Sequence, residues 1–122
     1  MEKFRLFLVV VFFGWTTPVL PAFVGNWSFL NVNGPYQIFN EKDFEIFKAS
    51  TAEALDNQKD GETISWENPL SGANGTHRIV RSFSRDSNKC RRLEMFSRAG
   101  SRQSRITFNF CVQPDGSWGI AR

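Results

Sequence analysis

An α+β domain, with one N-terminal helix packed on a four- to five-stranded antiparallel meander and one disulfide, is the fold class predicted by this 122-residue chain. Three observations predict it. The apolar spacing changes from helical to alternating at Asp60-Gly61. Short alternating stretches then follow one another with only turn signals between them. A single hairpin register around Gly100-Ser101 also brings the two cysteines face to face.

The elements justify themselves in chain order. Residues 1–22 read as a secretory signal peptide: Lys3 and Arg5 precede an uncharged apolar run from Leu6 to Trp15, and "TTPVLPA" ends in a small residue, so cleavage is expected after Ala22. An uncleaved anchor is the alternative, but a spanning helix needs about 20 apolar residues and this run breaks off earlier. Residues 23–41 carry Trp27, Phe29, Leu30, Tyr36, Ile38 and Phe39 among Gly25, Asn33, Gly34 and Pro35, which predicts an extended lead-in packed on the domain. Residues 42–122 form the domain itself.

Its helix is "DFEIFKASTAEALDNQ", where Phe44, Phe47, Thr51, Ala54 and Leu55 share a face and Asn40 or Asp43 caps the start. Beyond Asp60-Gly61, "ETISW" places Ile64 and Trp66 on one side, and "HRIVRSF" places Ile79 and Phe83 on one side with Val80 on the other.

"KCRRLEMFSR" and "RITFNFCV" form a hairpin if Gly100-Ser101 is a two-residue loop, with glycine first as a type II′ turn prefers. Leu93 then opposes Phe108, Met95 opposes Ile106, and the stem of Arg91 lies beside Phe110 on a core-like face. Arg92 with Asn109, Glu94 with Thr107, and Phe96 with Arg105 make the other face polar. Cys90 opposes Cys111 in the closer class of cross-strand pair, so a disulfide joins them in an exported chain. "QPDGSWGIA" adds a turn and a short last strand with Trp118 and Ile120.

Charge divides along the chain. Residues 23–67 hold three lysines against eight acids, a balance of −5, whereas 68–122 hold nine arginines and Lys89 against three acids, a balance of +7. The expected consequence is mutual neutralisation within a small fold; the alternative is a basic face for an acidic partner.

The inventory for catalysis is thin. His77 is the sole histidine, and Ser71 and Thr76 are the hydroxyls near it in sequence; without a third group it is expected at the surface with no catalytic role. Glu62 and Glu67 bracket a strand and are expected to be solvated. No H-x-x-H, C-x-x-C or D-x-D-x-D spacing occurs, so neither a metal nor a cofactor is expected.

"SGANGT" lacks the lysine and helix of a phosphate-binding loop. Its expected role is a wide β-loop with positive φ at Gly72 and Gly75. The alternative is an anion nest of backbone N–H groups aided by Arg78, Arg81 and Arg85. Arginines at 78, 81, 85, 91, 92, 98, 102 and 105, with Phe83 and Phe96 among them, suit an acidic partner. Export argues against nucleic acid.

"GETISWENPLSGANGT", "CRRLEMFSRAG" and "CVQPDGSW" resemble, in order and spacing, the cassette of the rickettsial-type 17 kDa bacterial surface antigen family. The matching positions are Gly61, Trp66, Asn68, Pro69, Ser71, Gly72, Gly75, Cys90, Arg91, Cys111, Asp115, Gly116 and Trp118. The segment "WSFLNVNGPYQIFNEKDFEIF" also looks like what precedes the cassette, so the resemblance spans about residues 27 to 122.

It implies an exported, non-enzymatic protein of a Gram-negative envelope, periplasmic or at the outer-membrane surface. Many members carry a cysteine at the end of the signal and a glycine-zipper stretch. This chain shows neither, so attachment through a lipidated cysteine is not expected, and no span remains after signal cleavage. Val112 stands where an arginine is usual. The expected partner is an envelope protein; the alternative is an anionic envelope component, lipopolysaccharide or acidic glycan, bound by the arginine-rich sheet.

Overall fold

The computed structural model describes residues 27–30 and 34–121. The signal-peptide expectation, and the parts of the lead-in at 23–26 and 31–33, lie outside the described residues.

Helix α1 (Glu41–Asn57) starts at Asn40, whose side chain accepts from the Asp43 N–H at 2.8 Å while the Asp43 carboxylate accepts from the Asn40 N–H at 2.9 Å. This reciprocal capping box satisfies two of the donors a helix start leaves open. The helix stops before Asp60-Gly61, as its sequence predicts. Its last turn carries no basic residue, so cationic help for the terminal carbonyls has to come from elsewhere in the fold.

Five strands follow, β1 (Thr63–Glu67), β2 (Asn74–Arg85), β3 (Asn88–Ala99), β4 (Arg102–Val112) and β5 (Trp118–Ile120), in one antiparallel sheet whose order is the chain order. The β3–β4 register matches the expected one from Ala99/Arg102 to Cys90/Cys111, and the two cysteines are bonded. Gly100 has φ of 59° and Ser101 is not in the positive region, consistent with a type II′ turn. The β2–β3 turn is of the other primed type, with Asp86 and Ser87 both at positive φ, 51° and 68°.

One alternation is corrected. β2 bulges between Ile79 and Arg81, which pair with the consecutive residues Leu93 and Arg92. Val80 is the extra residue, and Phe83 therefore lies opposite Cys90, on the face away from Ile79 rather than beside it.

Helix and lead-in cover one face of the sheet, called here the inner face. Ile79, Leu93, Met95 and Phe110 pack there against Phe47, Ala54 and Leu55, all fully buried. The described lead-in packs on the same core but is not extended. It forms two short 3-10 turns, Ser28–Leu30 and Pro35–Gln37, the second opened by a proline that suits a first helical position. Leu30, Tyr36 and Phe39 are buried, and Trp27, Phe39, Phe47 and Trp66 meet edge to face around the helix start.

Candidate functional site

The loop between β1 and β2 turns back onto the helix. Asn68 is buried and uses all of its polar groups: its N–H donates to the Ala73 carbonyl, its carbonyl accepts from Gly72 N–H, its Oδ1 accepts from Leu70 N–H, and its Nδ2 donates to Asp43 Oδ1 at 2.7 Å. Ser71 Oγ donates to the same Asp43 oxygen at 2.6 Å and accepts from Ala73 N–H.

Burial pushes the Asp43 carboxyl up, but hydrogen bonds from Ser71, the Asn40 backbone and Asn68 outweigh it, so the carboxyl titrates below its ordinary range. The N–H groups of Leu70, Gly72 and Ala73 are thus held by this chain rather than turned outward as a nest. Pro69 ends β1 and, like Leu70, stands exposed at the loop tip.

The two glycines of this loop differ. Gly72 has φ of 85°, as expected, whereas Gly75 does not and lies within β2 opposite Trp66. Gly75 is needed for space: a Cβ there would fall 2.1 Å from the Phe96 carbonyl oxygen and 2.7 Å from Trp66 Nε1. The buried Trp66 Nε1 has no hydrogen-bond partner among the described residues.

His77 is not at the surface. It is fully buried beneath the middle of α1, with Ser50 Oγ 2.9 Å from Nδ1 and Thr51 Oγ1 2.8 Å from Nε2. The Thr51 hydroxyl has one proton, and it goes to the Phe47 carbonyl. Thr51 must therefore accept from Nε2–H, which leaves Nδ1 to accept from Ser50.

Desolvation lowers the imidazole to about 3. A serine donating to a histidine is the start of a nucleophile–base pair, but here a threonine stands where a carboxylate would orient the base, and a ring titrating near 3 takes a proton poorly at neutral pH. Ser71 and Thr76, its neighbours in sequence, are not its partners. The signal for the actual ones was the Ser50-Thr51 pair on the otherwise apolar stripe of the helix.

The missing cation at the helix C-terminus is Arg91, which projects from β3 onto the inner face and is buried. Its Nη1 donates to the carbonyls of Ala54 (3.3 Å) and Leu55 (2.9 Å), and its Nη2 donates to Gln58 O and to Asp60 Oδ1 (3.2 Å). Its Nε donates to Ser82 Oγ at 2.9 Å. A planar guanidinium suits several carbonyls in one plane, where a lysine would not.

Asp60 also accepts from the Ser82 hydroxyl and N–H; with Arg91 these hold its carboxyl below its ordinary value. Trp118 Nε1 donates to Asp56 at 3.2 Å, and the Asp115 carboxylate accepts from Ser117 N–H and Oγ to shape the turn that delivers that tryptophan. Those bonds from Ser117 lower Asp115. Gly61 follows the helix and donates its N–H to Ile79 O. Gly116 lies in the last turn.

The outer face is different in kind. Cys90, Arg92, Glu94, Phe96 and Arg98 of β3 point there, beside Arg78, Arg81, Phe83 and Arg85 of β2 and Arg105 of β4. No described helix lies over it. Arg78 donates to Glu94 Oε1 at 3.3 Å, and Arg105 forms an ion pair with the same oxygen at 3.4 Å. Arg81 and Arg85 flank the Phe83 ring, and Arg98 and Arg105 flank Phe96.

Gly72 and Arg85 are thirteen residues apart along an extended strand, about 40 Å, so the glycine loop and the distal arginines do not form one site. No group of three or more His, Cys, Asp or Glu side chains suited to a metal occurs among the described residues. No described helix is long and apolar enough to cross a membrane.

The family model described as "17 kDa outer membrane surface antigen" matches residues 53–119. The 17 kDa surface antigen of Rickettsia prowazekii (strain Madrid E) is 27% identical over 82 residues, covering 66% of this chain and 52% of that protein. The 17 kDa surface antigen of Rickettsia bellii (strain RML369-C) is 26% identical over 82 residues with the same coverage. The chain spans about half the length of the curated relatives it matches. No solved structure matches. More than half of the chain fits the family model, including the loop that grips Asp43, the arginine under the helix end and the tryptophan on Asp56: the chain belongs to the 17 kDa outer membrane surface antigen family.

Proposed function

We propose that the protein is an exported, non-enzymatic module of the cell envelope, in the periplasm or at the outer-membrane surface, and that it acts by contact through the outer face of its sheet. One observation carries this reading. Asn68, Ser71, Arg91 and Trp118, among the residues that resemble the family cassette, hold the helix to the inner face, and the outer face is left without a covering element among the described residues.

The arrangement around His77 supports the non-enzymatic part, since its ring is buried, neutral and hydrogen-bonded on both sides. An open groove of ≈ 430 Å³ runs over Ser65–Glu67 and Asn74–Thr76 and holds neither a histidine nor a cysteine. The surface-antigen relatives support an exported or surface location.

Site-specific photocrosslinking in intact envelopes tests the contact surface. A photoreactive residue at Ser65 or Thr107, on the outer face, is expected to capture an envelope partner, and one at Glu45 or Ala49, on the exposed side of α1, is not. Capture from the helix side alone overturns the assignment.

A further inference from the structure

The outer face defines the chemistry of what it meets, and this step rests on reading that face as the contact surface. Arg81 and Arg92 stand directly opposite each other across β2 and β3. Like charges in that position destabilise a sheet, and no carboxylate pairs with either among the described residues. Arg92 donates to Asn109 Oδ1 at 3.1 Å, and Arg81 lies 4.5 Å over the Phe83 ring. Arg85 lies on the same ring at 5.7 Å.

A second cluster repeats the arrangement. Arg98 and Arg105 lie 5.2 and 4.7 Å from the Phe96 ring. Phe83 faces Cys90 across the strands, so the two rings are six residues apart along β3, about 20 Å. A guanidinium carries five N–H donors, so Arg98, which donates to Gln103 Oε1 at 3.4 Å, and Arg105, 3.4 Å from Glu94 Oε1, each keep further N–H groups that match phosphate oxygens in pairs.

The clusters spread over three strands of a sheet face that no described element covers, which suits an array of anions better than one small anion or one thread of glycan. The far side of the molecule exposes Glu41, Glu45 and Glu53 of α1 together with Lys42 and Lys48, a balance of −1. An anionic surface therefore attracts the outer face and not the helix side, which orients the domain before contact.

We propose that the outer face docks on the phosphate headgroups of an anionic lipid surface, with Arg81/Arg85 and Arg98/Arg105 as its two contact points.

Sedimentation of the oxidised protein with mixed phosphatidylglycerol–phosphatidylcholine vesicles, against phosphatidylcholine alone, tests the proposal. Binding is expected only to the anionic vesicles, weakening as salt rises. At about fivefold per surface arginine, each double variant, R81A/R85A and R98A/R105A, is expected to lower affinity roughly thirtyfold.

The pair K42A/K48A removes the same charge from the helix side and is expected to change affinity by no more than about twofold. Thermal unfolding of each variant confirms that it is folded. Equal losses from the lysine pair, absence of binding to anionic vesicles, or binding to a soluble acidic polysaccharide in place of vesicles overturns the proposal. If vesicle binding fails while crosslinks from Ser65 and Thr107 persist, the lipid assignment falls and the contact surface stands; loss of those crosslinks removes the contact surface itself.

Discussion

The two faces of one sheet use the same side chain in opposite ways. Arg91 and Arg92 are neighbours on β3. Arg91 points inward, is 6% exposed, and holds the carbonyls of a helix end. Arg92 points outward and faces another arginine. A guanidinium on the inner face replaces water for groups that the fold has buried, whereas on the outer face it stays hydrated and charges the surface. Arginine content alone therefore says little about binding; the parity of the position decides.

Substitutions on the two faces test this contrast, and the largest effect is expected inside. Arg91→Ala strips the guanidinium from the carbonyls of Ala54, Leu55 and Gln58, of which Ala54 keeps the Gln58 N–H, and should cost about 3–5 kcal/mol in urea unfolding. A loss like that of an ordinary surface arginine would erase the distinction.

The disulfide comes next. It sits on the outer face, yet Cys90 is fully buried. Replacing both cysteines with serine frees a loop of 21 residues and should cost about 3 kcal/mol under oxidising conditions. Unchanged stability would mean that the staple adds nothing to the hairpin.

Gly75→Ala follows, because the new methyl meets a strand carbonyl and the Trp66 ring; about 1–3 kcal/mol is expected from overpacking. Near-wild-type melting would show that β2 shifts freely.

The buried imidazole gives a pH effect. The folded ring titrates near 3 against an ordinary 6.5. The unfolded chain therefore takes up a proton that the folded one refuses as the pH falls from 6.5 toward 3. Stability is complete above 6.5 and declines below it by up to about 1.4 kcal/mol per pH unit. His77→Gln should flatten that slope between pH 6 and 4; a slope that persists assigns it to other groups. Asp43 adds its own loss at lower pH, since its depressed carboxyl stabilises the fold only while ionised. The smallest effect is expected on the outer face, where Arg81→Ala should move stability by no more than about 0.5 kcal/mol.

The hairpin of β3 and β4 was legible because independent signals agree on one register: a glycine-first turn, two cysteines, and apolar residues on one side. The helix was legible from its stripe and from Asn40. His77 was misplaced because a lone polar residue beside a loop carries no sign of two hydroxyls 26 and 27 positions away.

The bulge at Val80 was illegible for a related reason. Nothing in "HRIVRSF" marks the extra residue, and a count by twos carries Phe83 to the wrong face. The loop "SWENPLSGANG" announced turns, but its grip on Asp43 depends on where the fold brings the helix start.

The separations of these anchors also imply an order of assembly. Two of the sheet's hairpins close through two-residue loops and need only local contacts. The helix is held by partners 25 to 28 residues away at its start, 36 and 37 near its end, and 62 for Trp118 on Asp56. Long closures of this kind form late. During synthesis the helix leaves the ribosome before any described strand, but Trp118, the partner of Asp56, follows 62 residues after it. The docking of the helix is then completed only once the last described strand has been made.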